Sequence, residues 1–311
     1  MDNIICVVGP TASGKTKLAV RLAQELNGEV ISCDSMQLYR GMDIGTAKPT
    51  REEMQGVVHH MLDVADPWED FSAGKYVEMA DPIVQDILSR GKTCIVAGGT
   101  GLYVDSLMAG RSFAPVPSTG RREALEREAD AQGTGPLLAR LAVIDPETAA
   151  RLHPADRKRI IRALEVFEET GETLSAHDRR TREQPPRYTP CRVGLDFQSR
   201  ADLYARIDLR VELMLQAGLL DEIEALLRAG IDRRATAMQA IGYKEFLAAM
   251  DAGTDLHEAA ELVKQRSRNY AKRQLTWFRR NEQTQWILQP AQPDFEWVFA
   301  QARRIIPFFA R

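Results

Sequence analysis

Gly9-Pro10-Thr11-Ala12-Ser13-Gly14-Lys15-Thr16 satisfies the phosphate-binding pattern G-x-x-x-x-G-K-[ST] at every fixed position. Gly9 and Gly14 let the backbone curl so that successive N–H groups point inward, and a helix starting at the loop adds its positive end to the cradle. Lys15 supplies a mobile cation and Thr16 a hydroxyl suited to Mg²⁺. A glycine turn that binds nothing is the plainer alternative. Against it stands the context: the apolar run Ile4-Ile5-Cys6-Val7-Val8 leads in, and Leu18, Leu22 and Leu26 follow at helical spacing. The motif holds a nucleotide and a pyrophosphate ester alike.

Two further groups stand where chemistry is expected. Asp34 follows the strand-like Glu29–Cys33, and the carboxyl ends of parallel strands share one crevice, so this acid should face the phosphate loop. Thr100 lies in Gly98-Gly99-Thr100-Gly101-Leu102-Tyr103, after the apolar run ending at Ala97. An ATP-hydrolysing enzyme would usually place a Mg²⁺-binding aspartate there. Glycines and a threonine weaken the hydrolase reading and would let the backbone approach a substrate closely. His59 and His60 adjoin Met61-Leu62 with no third ligand in view and are read as structural.

Positioning these groups calls for an α/β fold, a P-loop NTPase-like parallel sheet core with an inserted all-helical domain. The core should take residues 1–111 and 191–311. Between them, residues 112–190 lose strand character and carry proline-bounded helical segments, closed by Gln184-Pro185-Pro186. Helices are expected near Arg122–Ala131, Leu137–Val143, Pro146–Leu152 and Asp156–Thr170, then Arg200–Ala217, Leu220–Ala229 and Asp255–Arg280, with a glycine turn at Gln239–Lys244 and a last strand at Thr284–Gln289. Thr50 and Glu53 have capping-box spacing.

At 311 residues and 44% hydrophobic content the chain can build a real core. No apolar run is long enough to span a bilayer, and the start lacks a basic n-region, so a cytoplasmic protein is expected. Scattered Cys6, Cys33, Cys94 and Cys191 read as buried thiols. Net charge is −3, yet basic residues crowd at Arg157-Lys158-Arg159 with Arg162, at Arg179-Arg180 with Arg182 and Arg187, and from Lys264 to Arg280. Any single stripe could be a solvated face. The last one mixes cations with Tyr270, Trp277 and Phe278, which suits unpaired RNA bases, although Trp277 and Phe278, each taken alone, read sooner as core.

Taken together, the phosphate loop, Asp34-Ser35-Met36-Gln37, Gly98–Tyr103, His153-Pro154 through Val166, Ile241-Gly242-Tyr243-Lys244, and Lys272-Arg273-Gln274 through Arg279 closely resemble the tRNA dimethylallyltransferases, also called tRNA delta(2)-isopentenylpyrophosphate transferases. The resemblance covers nearly the whole chain. It implies transfer of a dimethylallyl group from dimethylallyl diphosphate to N6 of adenosine 37, beside the anticodon, with Mg²⁺ at Thr16. Asp34 would be the general base, and Thr100 would lie near the reacting ends. Thr11–Thr16 would hold the diphosphate, with a further cation from Arg206 or Arg210, between which spacing does not choose.

By the same resemblance the anticodon stem-loop would meet Asp34, Ser35, Met36, Gln37, Thr100, Arg122 (or its neighbour Arg121), Lys158, Arg159, Ile160, Ile161, Arg162, Gln239, Gly242, Tyr243, Lys244, Lys272, Arg273, Gln274, Thr276, Trp277 and Arg279. The target base must leave its stack to be reached. Eukaryotic members carry a zinc-finger extension, so a compact bacterial form is expected, and, with no exposed apolar stripe in view, a monomer without a membrane partner. The strongest rival is a P-loop kinase of a small metabolite or nucleoside with Asp34 activating a hydroxyl. A prenyltransferase acting on free AMP and a non-enzymatic RNA binder are the others.

Overall fold

The computed structural model describes residues 2–111, 113 and 119–310, and for Arg182 the backbone alone. The expected boundary at Ser112 and the Arg182 side chain lie outside this description. Among the described residues, six strands form one parallel sheet: β1 (Ile4–Val8), β2 (Gly28–Ser32), β3 (His59–His60), β4 (Thr93–Gly98), β5 (Cys191–Phe197) and β6 (Gln285–Gln289). Their order is β3-β2-β4-β1-β5-β6, with every neighbouring pair parallel.

Central β1 is apolar throughout because both its faces are covered. Ile4, Cys6 and Val8 enter one core layer while Ile5 and Val7 enter the other, the two-residue alternation of a strand. All four cysteines are buried and unpaired.

The helices up to residue 110 are α1 (Lys15–Glu25), α2 (Arg51–Met54), α3 (Ala73–Ser89) and α4 (Gly101–Ala109). Thr50 and Glu53 make the reciprocal capping box at the start of α2. Five follow: α5 (Arg121–Gln132), α6 (Gly135–Ile144), α7 (Pro146–Ala149), α8 (Arg157–Thr170) and α9 (Leu174–Glu183). The rest are α10 (Arg200–Gln216), α11 (Leu219–Arg228), α12 (Tyr243–Ala252), α13 (Leu256–Phe278) and α14 (Phe295–Ile305). Leu18 and Leu22 of α1 and Phe299 of α14 cover one sheet face. Tyr76, Val104, Ile223, Phe246 and Val263, from α3, α4, α11, α12 and α13, cover the other.

The chain divides into two compact units, Met1–Gly110 with Arg187–Arg311, and Arg111–Pro186. The second has its own core of Leu125, Ala129, Leu137, Leu141, Ile160, Ile161, Ala163 and Leu164. Ile160 and Ile161, expected among the RNA contacts, are fully buried, and their side chains hold α8 to its neighbours. On the same helix Lys158 and Arg159 are exposed, while Arg162 donates to Glu165 at 3.0 Å.

Three helices exceed the sequence reading, α4 directly after the Gly98–Gly101 turn being the first. Thr173 caps α9, whose polar sequence gives little apolar periodicity, and α12 begins directly after the turn at Gly242, whose N–H is taken by Glu245 at 2.9 Å. The two-residue β3 is set only by pairing with β2.

Candidate functional site

The phosphate loop runs from β1 into α1. Gly9 adopts φ 145°, and a Cβ there would lie 2.4 Å from Leu195 O on β5, so glycine is required at this position. Gly14, at φ 86°, starts α1 in the left-handed region. Ser13 Oγ donates to Pro10 O at 2.8 Å, and Lys15 Nζ donates to the same carbonyl at 2.6 Å. Burial pushes the Lys15 ammonium down to about 7; Arg210 lowers it further, and the nearby Asp34 carboxylate works against both. Arg206 Nε donates to Ala12 O at 3.2 Å and Arg210 Nη1 to Thr11 Oγ1 at 3.2 Å. Both arginines that the sequence could not rank therefore reach the loop.

Asp34 and Thr100 are brought together because β2 and β4 are paired, with Ser32 opposite Ala97, so their loops leave the sheet side by side. Thr100 N donates to Cys33 O at 3.0 Å, and a Cβ on Gly98 would lie 2.2 Å from that carbonyl oxygen. Asp34 Oδ1 accepts from Met36 N at 2.9 Å and Gln37 N at 3.4 Å. Thr100 Oγ1 accepts from Ser35 N at 3.0 Å and lies 3.3 Å from Ser35 Oγ. The Tyr270 phenol bonds to the side chains of Thr100 and Gln274, and burial, reinforced by Asp34, pushes it up to about 12. The sequence places Tyr270 only in the cation–aromatic stretch suited to RNA bases, with nothing to set it beside Thr100.

The glycines around Thr100 also make room for α13: a Cβ on Gly99 would lie 2.1 Å from Gln274 Nε2, and one on Gly101 2.2 Å from the Trp277 ring. Gln274 is 4% exposed; its Oε1 accepts from Thr11 N at 2.9 Å and its Nε2 donates to Gly99 O at 3.0 Å. Gln274 thus braces the phosphate loop against the end of β4, a structural role beyond the one the resemblance implied.

Trp277 is partly buried, with Nε1 donating to Asp105 Oδ2 at 2.7 Å, and Phe278 is core. Tyr243 is fully buried and Gly242 is also buried, so neither offers the surface expected of it; each secures the start of α12. Lys272, Arg273, Thr276, Gln239 and Lys244 are exposed. Arg279 is exposed as well, though bonded to the buried Asp196 at 2.8 Å. Arg122 is held by both oxygens of Glu165, at 3.1 and 2.9 Å.

His60 Nε2 lies 2.8 Å from Glu29 Oε2, and His59 Nδ1 2.9 Å from Val57 O. Mg²⁺ takes hard oxygen ligands and keeps several waters, so one hydroxyl with substrate phosphate oxygens makes an adequate set. Thr16, partly buried in the first turn of α1, offers that hydroxyl, and no group of three His, Cys, Asp or Glu suited to a metal occurs elsewhere among the described residues. No described helix is long and apolar enough to cross a membrane.

Comparison with known proteins gives a consistent picture. The family model described as IPP transferase matches residues 37–281. A tRNA dimethylallyltransferase of Acetivibrio thermocellus is 46% identical over 288 residues, 92% of each chain. The tRNA dimethylallyltransferase 2 of Geotalea uraniireducens is 45% identical over 99% of this chain and 97% of its own. Among solved structures, the tRNA isopentenylpyrophosphate transferase of Bacillus halodurans superposes with TM-score 0.73 at 41% identity, covering 100% of this chain and 96% of that one. A eukaryotic dimethylallyltransferase acting on tRNA gives TM-score 0.82 at 29% identity, covering 100% and 80%. With the phosphate loop, the acid beside it and the match over most of its length, the chain belongs to the IPP transferase family, a family of prenyltransferases.

Proposed function

We infer that the protein transfers a dimethylallyl group from dimethylallyl diphosphate to N6 of adenosine 37 in tRNA, releasing diphosphate. The observation that carries this reading is that the phosphate loop follows β1 and Asp34 follows β2, both strands pairing in parallel with β4, so that a phosphate cradle and an acid leave the same end of the sheet. The N6–C1 bond forms as the C1–O bond breaks, the electron pair leaves with the diphosphate, and the N6 proton is taken by a base. An exocyclic amine is a poor nucleophile because its lone pair is shared with the ring; a carboxylate accepting its hydrogen bond helps as charge develops, and Asp34 has that role.

Loop amides, Lys15, Arg206 and Arg210 stabilise the growing charge on the leaving oxygen without reorganising water. Mg²⁺ held at Thr16 would add positive charge at the diphosphate. Thr100 would orient the amine. The target base leaves its stack to meet these groups, and the exposed cations Lys158, Arg159, Lys244, Lys272 and Arg273 would hold the surrounding phosphates.

Incubation of the purified protein with labelled dimethylallyl diphosphate and either an anticodon stem-loop or AMP tests the reading. Label in the stem-loop and none in AMP is expected. Transfer of the ATP γ-phosphate to a nucleoside, with dimethylallyl diphosphate untouched, would establish the kinase alternative instead.

A further inference from the structure

The stretch after Asp34–Gln37 contains neither helix nor strand until α2, and a carboxylate from a distant helix reaches its middle. Glu222 of α11 accepts from three successive amides: Oε2 from Asp43 N and Ile44 N, each at 2.7 Å, and Oε1 from Gly45 N at 3.0 Å. Oε1 also accepts from the Tyr243 phenol at 2.6 Å. Consecutive N–H groups converging on one anion form a nest, and here the anion is the protein's own. Gly45 lies flat on the Tyr243 ring, where a Cβ would come within 2.5 Å.

From this nest hydrogen bonds lead back to the reacting centre. Ala47 N donates to Ile44 O and Lys48 N to Asp43 O, at 3.0 and 2.9 Å, closing the turn. Gln37 Nε2 donates to Thr46 O and Ala47 O of that turn, at 3.2 and 3.0 Å, while Gln37 Oε1 accepts from Ser32 Oγ at the end of β2 at 3.1 Å. The amides of Met36 and Gln37 then fix Asp34 Oδ1. Lys48 secures the same turn from its other side, its Nζ donating to Tyr39 O at 2.8 Å, Asp43 Oδ1 at 2.6 Å and Asp63 Oδ1 at 2.5 Å.

We propose that Glu222, steadied by Tyr243, is a positioning residue for the transfer reaction, which sets the Asp34–Gln37 segment against the acceptor RNA. The proposal rests on the function inferred above. Glu222 is distinguished from its neighbours on α11 because both oxygens are used, so glutamine, with one accepting oxygen and an NH₂ facing an N–H, cannot serve all three amides. Tyr243 to phenylalanine removes only one of the four bonds to the same carboxylate. None of the four bonds to the carboxylate involves the phosphate loop, so diphosphate binding should not feel its loss.

The test compares the wild type with Glu222→Gln and Tyr243→Phe in steady-state transfer to an anticodon stem-loop, with melting curves and hydrogen exchange at the amides of 43–45. Glu222→Gln is expected to remain folded and to lose about tenfold in kcat/KM for the stem-loop, with KM for dimethylallyl diphosphate kept within about twofold. Tyr243→Phe should show a smaller loss of the same kind, and exchange at the three amides should quicken in both. Simple destabilisation would instead lower the active fraction and leave both KM values unchanged. Wild-type kinetics in Glu222→Gln, an equal rise in both KM values, or unaltered exchange would overturn the proposal. Should the wild type transfer no dimethylallyl group, the functional reading fails, and the exchange measurement still decides whether the carboxylate holds the loop.

Discussion

Lys15 is asked to carry a positive charge in surroundings that oppose one. Burial and Arg210 push its ammonium down to about 7 from 10.5, and only Asp34 nearby resists. The unfolded chain therefore holds one more proton than the folded one between those values, and the stability of the free protein should rise with pH across that window. Binding a diphosphate works in the opposite direction because the anion favours the charged lysine. Above pH 7 binding should take up a proton, and affinity should fall by up to about tenfold per pH unit. Calorimetry of dimethylallyl diphosphate binding in buffers of different ionisation enthalpy measures that proton. In Lys15→Met the lysine contribution should vanish, leaving only titration of the ligand itself.

Among the elements, the junction of β2, β4 and α13 does the positioning. Gly98 belongs to β4, and its Cβ would strike the Cys33 backbone rather than a movable side chain. Gly98→Ala should cost about 1–3 kcal/mol in a denaturant melt and should impair transfer beyond that, because Asp34 and Thr100 lie on either side of the strained contact. Much of this junction was legible in the sequence: the phosphate loop, Asp34 at a strand end and the lysine–arginine stripe of α13 each carry a local signature. What was not legible depends on packing between distant segments. The resemblance makes Tyr243, Gln274 and Trp277 RNA contacts, and Gly45, Gly99 and Gly101 open recesses for them that no local pattern announces. Glu222 gave no signal, being one acid on an amphipathic helix.

For the molecule as a whole, the interruption of the α/β unit is cleanly made. Gly110 and Arg187 are side by side, since a Cβ on Gly110 would lie 2.7 Å from that of Arg187, and Tyr188 N donates to Met108 O at 3.0 Å. Replacing residues 111–186 with a short glycine-serine link should therefore leave an α/β unit that melts cooperatively and still binds dimethylallyl diphosphate. Transfer to the stem-loop should be lost with the exposed Lys158 and Arg159. Retention of full transfer activity would remove the helical unit from acceptor recognition.

In the function proposed, the acid at the end of β2 acts on the amine while the glycine-rich loop holds the leaving group. Single-turnover transfer by Asp34→Asn, with stem-loop and diphosphate affinities measured on the same preparation, separates these two roles. The transfer rate should fall about 10²-fold or more with both affinities nearly kept. A transfer rate equal to that of the wild type would remove the carboxylate from the chemistry.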